Sequence, residues 1–424
     1  MENRQKNKKI EIFDTTLRDG QQCPGAAMSL AKNLEFASLA REFGVDVLEA
    51  GFPASSFNEF DVVYKICESY AQFSDSPKVA ALCQLRPEQF DVTIRSLEPL
   101  IAKGRARLHT YLPVDPLLMV SSLGANAQNR KREMVEKLYH HVKMVVAHGI
   151  EVQFSPEGYS RMGGNFDFTT DLIRAAVEGG AKVINCPDTV GGACRRQGSE
   201  FFVEHMKEHA RIIKNEFPDR GITWSVHCHN DLGLALDNTM AAVFDGPATQ
   251  LEGCINGIGE RAGNVSIEQA CMYIKQFGDK KEEGSKLWTH IDFSMIQQIS
   301  DFVAENMLDR QAHWPISGDN AARHTSGGHT NAILKNPLIY QAFDPRVIGK
   351  DIKLAFGPSS GGNHAKAIIE QHGYECHDSE KAAAAQFIKS YYKHRYKGIT
   401  EDELIHAFLK FRSEQQNLGK TVNN

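Results

Sequence analysis

The sequence has no marked excess of either charge. Its 48 Lys and Arg stand against 53 Asp and Glu, a net charge of −5, which leaves no electrostatic basis for binding nucleic acid or an anionic membrane. It lacks an apolar run of the roughly 20 residues that a bilayer-spanning helix needs. The polar, basic start from Met1 to Lys9 has no apolar stretch behind it, so no secretory signal is expected, and a cytoplasmic location is. Paired cysteines are missing as well. The nine present are scattered and never spaced CxxC, which fits reduced thiols, most of them packed as small core residues, better than a structural zinc knuckle or a disulfide frame. No Gly-rich dinucleotide fingerprint follows the first apolar run, because Asp19-Gly20-Gln21-Gln22 does not fit it.

What is present is a regular alternation of short apolar runs and amphipathic stretches. Strands are expected over 9–13, 45–49, 78–83, 105–112, 150–155, 182–186, 222–228 and 250–255. Helices are expected between Ser29 as N-cap and Gly44 as terminator, then over 57–73, 87–101, 126–148, 167–178, 199–216, 232–244 and 264–277. Eight strand–helix units within about 270 residues match the count of an α/β (β/α)₈ TIM barrel. A doubly wound open sheet seldom reaches eight consecutive units and normally reverses order midway.

After Gly278 the pattern changes. The charge run 280–283 reads as a solvated loop, 290–312 as helical, and Pro315 to Thr330 as a Gly-, Ser-, His- and Asn-rich loop of the kind that carries function. Helices are expected over 380–394 and 401–414, with a frayed polar tail from Gln415. The expected organisation is a barrel over 1–278, a helical linker subdomain with the Gly/His-rich loop over 279–345, and a small mostly helical subdomain over 346–424.

His227-Cys228-His229 ends the seventh expected strand. Residues i and i+2 of a strand face the same side, about 7 Å apart along the chain, so the imidazoles converge and Cys228 faces away. Alone, the pair fits a divalent metal and two hydrogen-bonded histidines near a turn equally well. Polar residues recur, however, at six of eight strand ends: Asp14 to Gln22, His109-Thr110, Ser155-Pro156-Glu157, Asp188-Thr189, His227 with His229, and Asn256 to Asn264. Loop capping or a rim salt bridge explains any one of them, Arg18–Asp19 included, but not the set. Catalytic groups of such barrels gather at these strand ends. Strands seven, eight and one become neighbours when the barrel closes. Two imidazoles, a carboxylate of the first loop and the Asn264 amide would then suit Mg²⁺, Mn²⁺ or Zn²⁺. Arg18 would stand beside them, ready to grip an α-keto acid or steady an enolate.

Three segments together, Phe13-Asp14-Thr15-Thr16-Leu17-Arg18-Asp19-Gly20-Gln21-Gln22, His227 to Gly233, and Gly257-Ile258-Gly259-Glu260-Arg261-Ala262-Gly263-Asn264, resemble the metal-dependent Claisen-condensing (DRE-TIM metallolyase) family over residues 9 to about 415. The resemblance implies Asp19, His227 and His229 as metal ligands, with Asn264 a ligand or close support. It implies Arg18 at the enolate and keto carbonyl, Glu157 as catalytic glutamate, and His109, Ser155, Thr189 and Gln22 at the α-keto acid. His329 would reach the active site of a second subunit, in a homodimer with exchanged C-terminal portions. The implied substrates are acetyl-CoA and 3-methyl-2-oxobutanoate, giving 2-isopropylmalate and CoA on the way to leucine. Pyruvate or 2-oxoglutarate are the alternative keto acids, and K⁺ is an implied activator. The chain departs from the family after His109-Thr110, where it reads Tyr111-Leu112-Pro113-Val114-Asp115-Pro116-Leu117-Leu118-Met119, next to the expected keto-acid pocket. Full-length relatives carry a further domain that binds the end-product amino acid. This sequence does not reach it, and leucine feedback is therefore not expected.

Overall fold

The computed structural model describes residues 6–280, 285–394 and 398–421. Eight parallel strands close into a barrel: β1 (Glu11–Asp14), β2 (Val47–Gly51), β3 (Lys78–Gln84), β4 (Ala106–Pro113), β5 (Glu151–Glu157), β6 (Val183–Asp188), β7 (Thr223–Cys228) and β8 (Gln250–Gly253). Phe13 pairs with Val47 on one side of β1 and with Glu252 on the other, which closes the ring. All five residues of β2, all six of β6 and all four of β8 are buried, as expected of parallel strands covered by helices outside and side chains within.

Local chemistry sets the helix boundaries. The Ser29 side chain accepts from the Lys32 amide at the start of Leu30–Phe43, and Gly44 ends that helix at φ 88°, the left-handed conformation for which glycine is suited. Pro87 opens Pro87–Ile101, where its missing N–H costs nothing. The helix expected over 126–148 begins as a 3₁₀ turn, Ala127–Arg130, and continues as Lys131–Ala147. A helix absent from the sequence reading, Pro116–Leu123, lies in the loop after β4 and is capped by the Asp115 side chain, which accepts from the Leu117 amide at 2.7 Å. Strand Lys6–Lys9 pairs in parallel with Ser285–Trp288, which also takes up Asp279–Lys280. This small sheet runs directly into the start of β1, away from the strand C-termini. Of the charge run, 281–283 lie outside the described residues.

The chain divides into two compact units, Met1–Arg310 and Gln311–Asn424. The helix Ile296–Asn306 belongs to the first. In the second, the stretch expected as one loop over 315–330 contains strand Arg323–His324, paired with Lys353–Leu354, and the first turn of helix Gly327–Ile333. Helices Gly362–Gln371, Lys381–Tyr391 and Glu401–Thr421 close on a core that includes Leu354, Ile368, Ala384, Leu404 and Phe408. The last helix runs through most of the segment expected to fray: Gln415 and Gln416 are good helix formers and no proline interrupts it. No helix among the described residues is long and apolar enough to cross a membrane.

Candidate metal centre at the barrel mouth

The first loop, leaving β1 at Asp14, turns back on itself. The Arg18, Asp19 and Gly20 amides all reach the Thr15 carbonyl, which aims Arg18 and Asp19 over the strand ends. Asp19 is buried, as are His227 and His229. One ligand atom from each lies within 4.8 Å of the others. The two imidazole Nε2 atoms are 3.3 Å apart, and His227 Nε2 is 3.9 Å from Asp19 Oδ2. Asn264 comes in from the loop after β8. Its Nδ2 donates to Asp19 Oδ1 at 2.8 Å and to the Ile258 carbonyl, while its backbone bridges that of His229. Gly259 makes this approach possible: a Cβ there would overlap Asn264 Nδ2 and come 2.8 Å from Asp19 Oδ1.

Charges around the cluster favour its metal-binding protonation states. Burial opposes the Asp19 charge, but Arg18, at 2.6 Å, and then the two imidazoles hold the carboxyl well below the usual carboxylate range. Burial pushes both imidazoles toward the neutral form, and His229 adds to the effect on His227. Neutral imidazoles and an ionised carboxylate are the forms that bind a cation. The donors fit a divalent ion, whose ligands at about 2.0–2.2 Å from it lie roughly 3 Å or a little more from one another. Asn264 Oδ1 and the Nδ1 atoms of both histidines are buried without a hydrogen-bond partner among the described residues.

Beside the cluster runs a polar row. Glu49, fully buried in β2, accepts from Arg18 Nε at 2.7 Å and Thr15 Oγ1 at 2.6 Å through one oxygen, and meets His109 Nδ1 at 2.6 Å through the other. His109 Nε2 lies 2.7 Å from Ser155 Oγ, which also accepts from Asn185 Nδ2 at 2.9 Å. Burial alone would raise the Glu49 carboxyl, but Arg18 and then His109 pull it down to about 2. Glu157, at the end of β5, is raised by burial and further by the Asp115 charge. Beneath His227, burial pushes Glu252 up to about 7, the nearby Glu49 charge adding to it while His109 opposes it.

Most of these groups, though not Glu49, open onto one cavity of about 310 Å³. Arg18, Asp19, Gln22, His109, Ser155, Glu157, Thr189, His227 and His229, all expected from the sequence, line it. Thr189 Oγ1 also accepts from the Gly158 amide. Asn264 stands just behind Asp19. His329 belongs to the second unit, where its ring stacks on Tyr340 at 3.9 Å. The sequence reading missed Glu49, Leu82, Asn185 and Glu252 as parts of the site. For Glu49 a signal exists: it interrupts a short apolar strand, and a carboxylate is almost never fully buried unless paired.

The chain belongs to the HMGL-like family, which matches residues 9–303; residues 316–396 match the homocitrate synthase post-HMGL domain. The fold is that of the family's TIM barrel, Asp19, His227 and His229 form a candidate metal site at its mouth, and the protein is an acyltransferase of the Claisen-condensing kind. Among its relatives is the 2-isopropylmalate synthase of Saccharolobus solfataricus, 37% identical over 388 residues, or 91% of this chain and 92% of that protein. The 2-isopropylmalate synthase of Staphylococcus saprophyticus is 33% identical over 96% of this chain and 75% of its own length. In fold, a hydroxymethylglutaryl-CoA lyase from Pseudomonas aeruginosa superposes with a TM-score of 0.54 at 16% identity, covering 71% of this chain and 94% of that one.

Proposed function

We propose that the protein condenses acetyl-CoA with 3-methyl-2-oxobutanoate and hydrolyses the thioester, releasing 2-isopropylmalate and CoA in the committed step toward leucine. The observation that carries this reading is the convergence of Asp19, His227 and His229 with Arg18 and the His109–Ser155–Asn185 row in one cavity, together with the names of the relatives. A divalent ion, Mg²⁺, Mn²⁺ or Zn²⁺, held by Asp19, His227 and His229 with Asn264 alongside, would supply a Lewis acid to the keto carbonyl. Arg18 is fixed between Glu49 and Asp19 and offers its remaining guanidinium N–H groups to the oxygen on which negative charge develops. His109, Ser155, Gln22 and Thr189 hold the keto acid. Glu157, its carboxyl raised by burial and by the Asp115 charge, takes the methyl proton of acetyl-CoA, with His329 of a second copy assisting. The carbanion bonds to C2 of the keto acid, whose carbonyl oxygen gains a proton, and water then cleaves the thioester.

Two features favour a short branched keto acid. Leu82, Tyr111 and Pro187 give the cavity an apolar wall that pyruvate would leave bare. Both cations lining it, Arg18 and Arg261, are already paired, with Asp19 and Glu49 and with Asp231, leaving none for the distal carboxylate of 2-oxoglutarate. The working state is a cytoplasmic homodimer with exchanged C-terminal portions, activated by K⁺. The test is CoA thiol release across keto acids of graded side-chain size. 3-Methyl-2-oxobutanoate should give the highest kcat/KM, and a preference for pyruvate or 2-oxoglutarate would reassign the substrate.

A further inference from the structure

Below the metal cluster, the inside of the barrel holds a second polar layer that the proposed chemistry does not use. Arg107 of β4 donates from Nη1 to Gln153 Oε1 of β5 at 3.1 Å and, across the barrel, to Gln250 Oε1 of β8 at 2.7 Å. Arg107 is itself anchored on Glu151 at 2.6 Å. With their oxygens committed to a guanidinium, both glutamines must present their NH₂ groups the other way. Gln153 Nε2 then donates to Glu252 Oε1 at 2.7 Å, and Gln250 Nε2 donates to Ser225 Oγ at 2.9 Å, whose hydroxyl donates on to the same Glu252 oxygen at 3.0 Å. One Glu252 oxygen is thus saturated. The other, Oε2, is buried with no hydrogen-bond partner among the described residues and faces His227 Nδ1, an equally orphaned atom, at 3.7 Å. Two unpaired buried atoms facing each other, one an acceptor and one able to donate, form a contact that needs only a shift of a few tenths of an ångström to close.

We infer that Glu252 is a positioning residue for the metal centre. It accepts a hydrogen bond from His227 Nδ1–H, fixes the Nε2 lone pair toward Asp19 and His229, and is itself oriented through Gln153 and Gln250 by Arg107. The inference rests on the reading of Asp19, His227 and His229 as ligands. A carboxylate behind a ligating imidazole sets its tautomer and raises its basicity, and losing one typically weakens metal binding about 10–100-fold.

The discriminating substitution is Glu252→Gln. Gln153 and Ser225 still donate to its oxygen, so its NH₂ is turned toward His227 Nδ1. That nitrogen must then accept, and the proton moves to Nε2, the ligating atom. Mn²⁺ titrated into the 424-residue chain by calorimetry should bind about 10–100-fold more weakly to Glu252→Gln than to the parent, with Glu252→Asp recovering part of the loss and the thermal midpoint of the metal-free protein little changed. A Glu252→Gln affinity within about twofold of the parent overturns the inference while leaving the ligand assignment standing. A parent protein that binds no Mn²⁺ overturns both. Should Glu252→Gln not fold, ¹⁵N-histidine spectra of the metal-free parent decide the point, the His227 signal being assigned by its loss in His227→Gln. The Nδ1–H tautomer is expected, and the Nε2–H tautomer overturns the inference.

Discussion

Exchanging Glu49 for glutamine changes one atom and should disturb both the stability and the chemistry of the barrel mouth. The parent carboxylate is fully buried and accepts from Arg18 Nε, Thr15 Oγ1 and His109 Nδ1 at 2.6–2.7 Å. Its pKa falls from 4.5 to about 2 although burial pushes the other way, and a fall of that size corresponds to about 3 kcal/mol of stabilisation. Because the folded value lies below the unfolded one, this stabilisation is complete above about pH 4.5 and is lost as pH falls through about 2. Glutamine can serve Arg18 or His109 with its oxygen, but its NH₂ then meets the other donor. Removing one partner of a buried ion pair costs about 3–5 kcal/mol. Asp19 still neutralises Arg18, which favours the lower end of that range. At about 2 °C per kcal/mol for a unit this large, the unfolding midpoint at pH 7 should drop by about 6 °C. The gap between variant and parent should shrink as the pH is lowered. Differential scanning calorimetry from pH 7 to 3, with thiol release at pH 7, measures both effects. A midpoint within about 1 °C of the parent, with unchanged turnover, would show that Glu49 does not hold Arg18 in place.

Arg18→Ala should lower kcat about 10²–10³-fold with the circular dichroism spectrum retained; retained CoA turnover would remove Arg18 from the chemistry. Glu157→Gln should lower kcat about 10²–10⁴-fold, and exchange of the acetyl-CoA methyl protons with deuterated solvent should disappear with it. In the parent, burial and Asp115 raise the Glu157 carboxyl, so the base is ionised only at a higher pH than an ordinary glutamate. Asp115→Asn keeps a helix cap but removes the charge, and the acid limb of the kcat–pH profile should move to lower pH. His227→Ala should cost more metal affinity than the about 10–100-fold typical of a lost supporting partner, and unchanged metal stoichiometry by elemental analysis would refute the ligand assignment.

The barrel was readable because its strands are short apolar runs and its helices carry ordinary caps. Ser29, Gly44 and Pro87 fall where the chemistry of helix ends places them. The candidate metal cluster was partly readable for a related reason: His227, His229, Asn264 and the carboxylates of the first loop are polar residues at strand ends, and barrel closure brings strands one, seven and eight together; the choice of Asp19 among those carboxylates came from the family resemblance. Glu49 and Glu252 escaped because they lie within strands rather than after them, where an apolar run conceals a single carboxylate. Only partners brought in from other strands and loops, Arg18 for one and the Gln153–Ser225 pair for the other, show why burying each is tolerable. The helix Pro116–Leu123 escaped because its apolar pattern covers barely two turns, too short for periodicity to register.

That short helix alters the meaning of the segment from Tyr111 to Met119. Read as a string, Tyr111 to Met119 bears only on which keto acid fits. In the fold the segment has two tasks. Tyr111 forms part of the apolar cavity wall, while four residues later Asp115 caps the helix, pairs with Arg161 at 2.5 Å and raises the Glu157 carboxyl. Gly158, directly after Glu157, packs so tightly on this cap that a Cβ would come 2.5 Å from Asp115 Cβ. The proposed keto-acid wall and the charge that raises the proposed base, Glu157, are therefore carried on one continuous stretch, β4 and the helix after it. A residue change that widens the wall without moving Asp115 should alter substrate choice alone. An insertion or deletion between Leu112 and Pro116 should shift keto-acid preference and the acid limb of the pH profile together.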